Sequence, residues 1–112
     1  MPQPRSQTPR DIFTTALADW QRAWTTHARH DRRAASAGFA TATGHAHLAA
    51  MTTIATRITA IENHIARNPA NNRAELHIKI AILSLDGQVR PEFQKTVLDD
   101  AMRMIAEAEA EA

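Results

Sequence analysis

The sequence predicts an all-α protein, organised as a three- or four-helix antiparallel bundle. Apolar residues recur at helical spacing, glycine or proline separates neighbouring segments, and 23 of the 112 residues are alanine, the strongest helix former. The predicted helices cover about residues 10–33, 44–68, 73–86 and 91–109. We expect a flexible tail at 1–9, a single helical domain at 10–109 and a frayed end at 110–112.

The first predicted helix is strongly amphipathic. Its apolar face is formed at intervals of four, three and four residues by Phe13, Leu17, Trp20 and Trp24. We expect both tryptophans to be mostly buried, because they share a face with Phe13 and Leu17 and supply the largest apolar areas in the chain. The other side of the helix carries arginines, three in one stripe and one at its margin: Arg22, Arg29, Arg33 and Arg32.

The second predicted helix follows a break and carries an apolar seam. Small residues at 35–43 favour a loop, although a weak helical extension also fits. Asn68-Pro69 ends the helix, because proline disfavours helical geometry in the residue before it. The seam residues alternate at intervals of four and three, as in a coiled coil: His47, Met51, Ile54, Ile58, Ile61 and Ile65.

The third segment is ambiguous between helix and strand. Asn72 and Glu75 have the spacing of a capping box, which opens a helix. Yet apolar residues alternate through 76–82 with the period of a half-buried strand, and Asp86-Gly87 is also a hairpin signal. We choose a helix that Asp86-Gly87 closes, because no other segment offers a convincing strand partner.

Among the charged residues, Asp99 and Asp100 are expected on a solvated face of the last helix, and Glu75 and Lys79 are expected to pair with each other. Glu75 and Lys79 are four residues apart, a spacing typical of an ion pair along one helix. Asp99 and Asp100 are adjacent and point to different sides of the last helix, which is poor geometry for shared general acid and base catalysis. Pro91 suits the first position of that helix.

One stretch of the sequence also resembles a known group of proteins. The residues that carry the likeness are the run Ile61-Glu-Asn-His-Ile-Ala-Arg-Asn-Pro-Ala70, followed by Glu75-Leu76, Lys79 and Leu83. They resemble a motif of short, largely uncharacterised helical proteins of alphaproteobacteria and their prophages. The likeness covers about residues 54–85 and departs from that motif at Asn71-Asn72-Arg73 and at Ile80. It implies helix rather than strand and a bacterial source, and that group offers no activity and no functional residues.

Composition and motifs exclude several classes of protein. The chain has no cysteine, which removes disulfides and thiolate chemistry. Its three glycines match no phosphate-binding loop, and none of its serines lies in a nucleophile elbow. No stretch approaches the length of about 18 apolar residues that spans a bilayer. We therefore expect a cytoplasmic protein that binds no cofactor.

The six histidines would form a metal site only if the fold gathered them. His27 and His30 are one turn apart, and Asp31 is four residues after His27. Further ligands would have to come from another helix, which offers His45, His47 and His64. There is no His-Glu-x-x-His motif, so we expect no metal site and expect His47 to be a neutral core or interface histidine.

The pattern favours binding over catalysis. Several amphipathic helices share one thin core, because Ile, Leu, Val and Phe total only 20 of 112 residues. We therefore expect a non-enzymatic protein that binds another protein or itself, with a homodimer formed through the apolar seam of the second helix.

The alternative is an accessory protein that binds nucleic acid. Residues 1–33 carry six arginines against three aspartates, whereas residues 34–112 carry seven basic and nine acidic side chains. The contact surface would be the face of Arg22, Arg29 and Arg33, which can meet successive phosphates. An enzyme or metal protein built on the histidines ranks third.

Overall fold

The computed structural model describes residues 8–111, which form four helices and one small antiparallel hairpin. The elements are α1 (Asp11–Ala37), α2 (Ala42–Arg67), α3 (Arg73–Leu83), β1 (Ser84–Leu85), β2 (Gln88–Val89) and, after a 3₁₀ turn at Pro91–Phe93, α4 (Gln94–Glu111). The predicted all-α class is confirmed, and the antiparallel bundle stays a prediction. Most of the expected tail, residues 1–7, and residue 112 of the expected frayed end lie outside the described residues.

The chain forms two compact units. One consists of residues 8–17 and 62–111, and the other consists of residues 18–61. The second unit is a helical hairpin that contains the greater part of α1 and of α2, which touch through His30 and His47.

The turn of that hairpin is shorter than predicted. Helix α1 continues through Ala37, where the sequence predicted a loop from 35, and Gly38 ends it with a φ of 90°, a conformation that glycine adopts without strain. The Thr41 hydroxyl accepts a hydrogen bond from the Gly44 amide at 3.0 Å and so caps α2. A Cβ at position 44 would lie 2.0 Å from the Gly38 carbonyl oxygen, so the close approach of the turn requires glycine there.

The predicted burial of the two tryptophans is wrong for Trp24. Trp24 is 44% exposed and Trp20 is half-buried. A two-helix hairpin covers only one side of each helix, and the buried apolar residues of this unit are small or few: Ala23, Ala34 and Ile58. Such a core cannot enclose an indole ring.

The third segment combines the two structures that the sequence left as alternatives. Helix α3 ends at Leu83, three residues before the predicted end, and Ser84–Leu85 pairs with Gln88–Val89. Asp86 and Gly87 both have positive φ, 53° and 80°, as in the two-residue hairpin turns that match the twist of the strands. The two strands are only two residues long and pair with each other across the turn. They therefore need no strand from another segment, and the lack of such a strand was the reason for predicting a helix alone.

The apolar core of the unit formed by 8–17 and 62–111 gathers residues from α1, α2, α3 and the 3₁₀ turn before α4. Phe13, Ile65, Ile82 and Leu83 are fully buried, and Phe93 is 8% exposed. Around this core lie charged residues that the sequence did not predict to be buried.

Lys79 and Asp100 form a buried ion pair, which corrects two predictions at once. The Lys79 ammonium, expected to pair with Glu75, is completely buried and donates to Asp100 Oδ2 at 2.7 Å. It also donates to the Asn68 carbonyl at 3.0 Å and to the Thr96 hydroxyl at 2.9 Å, so all its protons have acceptors. Of the two expected solvated aspartates, Asp99 is exposed, but Asp100 is 3% exposed.

The Asp100 carboxylate remains ionised in this interior position. Burial alone would raise its pKa, but hydrogen bonds from Lys79, the Ala70 amide and Arg103 outweigh burial and hold the pKa below its ordinary value. The interaction therefore joins α3, α4 and the segment after α2.

Glu75 is also buried, and it forms an ion pair with the partly exposed Arg10 rather than with Lys79. The predicted cap is present, since the Glu75 amide donates to Asn72 Oδ1 at 2.8 Å. Its carboxylate accepts two guanidinium hydrogen bonds from Arg10, at 2.8 and 2.9 Å, and one from the Asn71 amide at 2.8 Å. Burial opposes ionisation, but these donors prevail and lower the pKa of Glu75 to about 2.

We expect Asp100→Asn to reduce the free energy of unfolding by about 3 to 5 kcal/mol, because it leaves the Lys79 ammonium buried without a counter-charge. The matched control is Asp99→Asn, which removes only the exposed pair with Lys95 and should cost less than about 1 kcal/mol. Urea denaturation of the three proteins measures both values. Equal effects at the two neighbouring positions would contradict the structural role given to the buried pair.

Candidate interaction surfaces

The apolar seam predicted on α2 is partly used inside the chain. Ile58 and Ile65 are buried, at 4% and 0% exposure, and each lies in the interior of its own unit. The other four seam residues are half-buried: His47, Met51, Ile54 and Ile61. The homodimer interface on α2 stays a prediction, but it would have to use these half-buried side chains.

Helix α4 carries a more exposed apolar surface, which the sequence interpretation missed. Leu98, Met102 and Ile105 are 60%, 58% and 54% exposed. They follow one another at intervals of four and three residues and therefore share one face of the helix. We call them the α4 stripe. The interval pattern is visible in the sequence, but Phe93, Val97 and Met104 form a second apolar face at helical spacing on the opposite side, so the sequence does not indicate which face is exposed.

Three other large apolar side chains are exposed on separate elements. Trp24 lies on α1, Phe39 lies in the α1–α2 turn, and Leu85 lies in β1, with exposures of 44%, 53% and 63%. Scattered apolar residues of this kind are common on protein surfaces, whereas three at helical spacing form a continuous surface. The α4 stripe is therefore the stronger candidate for binding.

The arginine face of α1 is exposed as the nucleic-acid hypothesis requires. Arg22, Arg29, Arg32 and Arg33 all lie on the surface of the unit formed by residues 18–61. That unit contains five arginines and two aspartates, a net charge of +3. Part of this charge is neutralised locally, because Arg22 forms an ion pair with Asp19 one turn earlier.

Two histidines of the predicted set meet between α1 and α2. The Nδ1 atoms of His30 and His47 lie 2.8 Å apart, so one ring donates a hydrogen bond to the other. This contact requires at least one neutral imidazole. Burial, together with the nearby His47, Arg33, Arg29 and His27, lowers the pKa of His30.

The remaining residues considered for a metal site do not join this pair. His27 packs edge-on against Trp24, with ring centroids 5.4 Å apart. Within residues 8–111, no three His, Cys, Asp or Glu side chains are placed to hold a metal ion together. The arrangement of His30 and His47 is therefore a contact that links two helices.

The most perturbed acids also have structural explanations. Strongly shifted pKa values often mark catalytic groups. Here the lowered pKa values of Glu75 and Asp100 follow from fixed ion pairs that join different elements. Both carboxylates already accept several hydrogen bonds, which suits a structural rather than a proton-transferring role.

Comparison with known proteins gives no relative: no family model, no curated protein and no solved structure matches the chain. The resemblance of residues 54–85 to helical proteins of alphaproteobacteria and their prophages stays a prediction. None of the helices between residues 8 and 111 has both the length and the apolar character that a membrane crossing demands.

The His30–His47 contact predicts a pH dependence of stability. Because the pKa of His30 is lower in the folded protein, its contribution is fully present above the ordinary histidine pKa of about 6.5 and is lost as the pH falls below that value. Urea denaturation between about pH 7.5 and 5.5 should therefore show decreasing stability, and His30→Gln should flatten this dependence. His64→Gln, at an exposed position, is the control and should leave the slope unchanged.

Proposed function

We propose that the protein acts by binding protein, in the first place a second copy of itself, and that it is not an enzyme. The observation that carries this proposal is the α4 stripe, whose three large apolar side chains are each more than half exposed. Burying apolar surface on association lowers the free energy by about 25 cal/mol for each Å² removed from water, so this surface favours binding to another chain.

The composition of the chain supports the same proposal. A thin apolar core and several amphipathic helices leave more apolar surface than one small domain encloses, as Trp24 and Phe39 also illustrate. Pairing with another chain would complete an antiparallel helical bundle. We further propose a cytoplasmic location, since a chain without cysteine does not depend on an oxidising compartment. The proposed bacterial, prophage-encoded origin is based on the resemblance of residues 54–85.

Light scattering across low to high micromolar concentrations tests self-association. We expect a mass near twice 12.4 kDa at the upper end of the range. Dissociation on dilution would give the affinity directly. A mass that stays at 12.4 kDa throughout would contradict self-association.

Nucleic-acid binding is the second candidate, because the exposed arginine face of α1 lies in the unit with a net charge of +3. Arg22, Arg29 and Arg33 are spaced seven and four residues apart, so they share one side of the helix. The pairing of Arg22 with Asp19 and the lack of an aromatic residue within this arginine stripe rank it below protein binding.

Fluorescence anisotropy with duplex DNA and RNA separates the two candidates. We expect no micromolar binding at physiological salt. If binding occurs, the combined change of Arg22, Arg29 and Arg33 to Gln must weaken it strongly and, at low salt where the variant still binds, reduce the salt slope by roughly 2 to 3. The control is the change of exposed Arg67 and Arg73 to Gln. Binding lost only in the triple variant would make nucleic acid the primary partner.

A further inference from the structure

We propose that two copies of the chain pair through α4, antiparallel, around a two-fold axis at Met102. This inference rests on the proposed self-association and names its surface and geometry. The α4 stripe of one copy thus packs against the α4 stripe of the second copy.

The face of α4 that carries the stripe extends to a charged residue at each end. With about 100° of rotation per residue, Lys95, Leu98, Ile105 and Glu109 all lie within about 60° of Met102 around the helix. Along this face the order is lysine, three apolar residues and glutamate, at intervals of three, four, three and four, while Asp99 and Ala106 lie on its other side within the same angle. This is the spacing of a seam between two packed helices.

The positions of the two charges select the antiparallel orientation. Lys95 and Glu109 each lie seven residues, about 10 Å, from Met102. An antiparallel pair centred on Met102 brings Lys95 of each copy level with Glu109 of the other, which creates two opposite-charge pairs by symmetry. A parallel pair would place lysine beside lysine and glutamate beside glutamate.

The helix dipole adds a second reason for this orientation. Lys95 lies in the first turn of α4 and Glu109 in the last, whereas a single helix is stabilised by acids at its beginning and bases at its end. In the antiparallel pair, each unfavourably placed charge meets the opposite charge of the partner. Asp99 contacts Lys95 at 2.8 Å within one copy, and this exposed pair is easily exchanged for the contact between copies.

The first experiment measures the dimer dissociation constant by sedimentation. Met102→Glu places two carboxylates at the axis and should raise the constant at least about tenfold. Leu85→Glu is the matched control, since Leu85 is equally exposed, at 63%, but lies in the hairpin, and its variant should dimerise as the original chain does. Circular dichroism confirms that both variants remain helical.

Charge reversal then tests the orientation. Lys95→Glu and Glu109→Lys should each raise the dissociation constant by roughly tenfold at low salt, because two attractive pairs become repulsive. The double variant restores both pairs and should return to within about twofold of the original chain. In a parallel dimer, Lys95 would face Lys95 and Glu109 would face Glu109, so each single change would replace one like-charge contact by another. Single variants that dimerise as the original chain does would therefore overturn the proposal.

Cross-linking provides a readout that does not depend on affinity. The chain has no cysteine, so Met102→Cys introduces one thiol near the proposed axis. Mild oxidation should give a disulfide-linked dimer of Met102→Cys in far higher yield than of Leu85→Cys.

The outcomes distinguish the two proposals. A monomer at every concentration overturns both. A dimer that is insensitive to Met102→Glu but disrupted by Met51→Glu would keep self-association, move the interface to α2 and overturn the pairing through α4.

Discussion

The ion pair between Lys79 and Asp100 is the interaction on which the unit of residues 8–17 and 62–111 depends. A lysine with no exposed surface keeps its charge only when its protons find acceptors, and here Asp100, Thr96 and the Asn68 carbonyl supply them. These acceptors come from α4 and from the segment after α2. The pairing therefore fixes the position of α3 against two other parts of the chain, with a directionality that apolar contacts lack.

Two further ion pairs extend this polar interior. Arg10 holds Glu75 across 65 residues of sequence, and Arg90 approaches Glu62 at 3.3 Å. A core with few large apolar residues leaves room for such groups, and each buried carboxylate is compensated by a cation. Breaking one pair leaves an uncompensated charge, which is more costly than the intact pair is stabilising. The arrangement thus specifies one packing of the helices more than it adds to stability.

The same constraint determines which face of α4 is outward. Asp100 is turned into the interior by Lys79, and Arg103 is tied to the Ala70 carbonyl at 2.8 Å. With the rotation of α4 fixed by these contacts, Leu98, Met102 and Ile105 are left on the exposed side. The α4 stripe is therefore a consequence of the internal ion pair, and its apolar character has no explanation inside the chain.

The sequence by itself determined where the helices lie, because the signals that start and end them are local. These signals are the intervals of three and four residues, the Asn72 cap, Asn68-Pro69 and Asp86-Gly87. It also determined the exposure of the arginine face of α1. Tertiary structure alone decided the partners of Glu75, Lys79 and Asp100, the exposure of Trp24, and which face of α4 remains open. Each of these depends on contacts between different elements, such as Arg10 with Glu75 and Lys79 with Asp100, or on how much of a helix its neighbours cover. Periodicity carries no information about either.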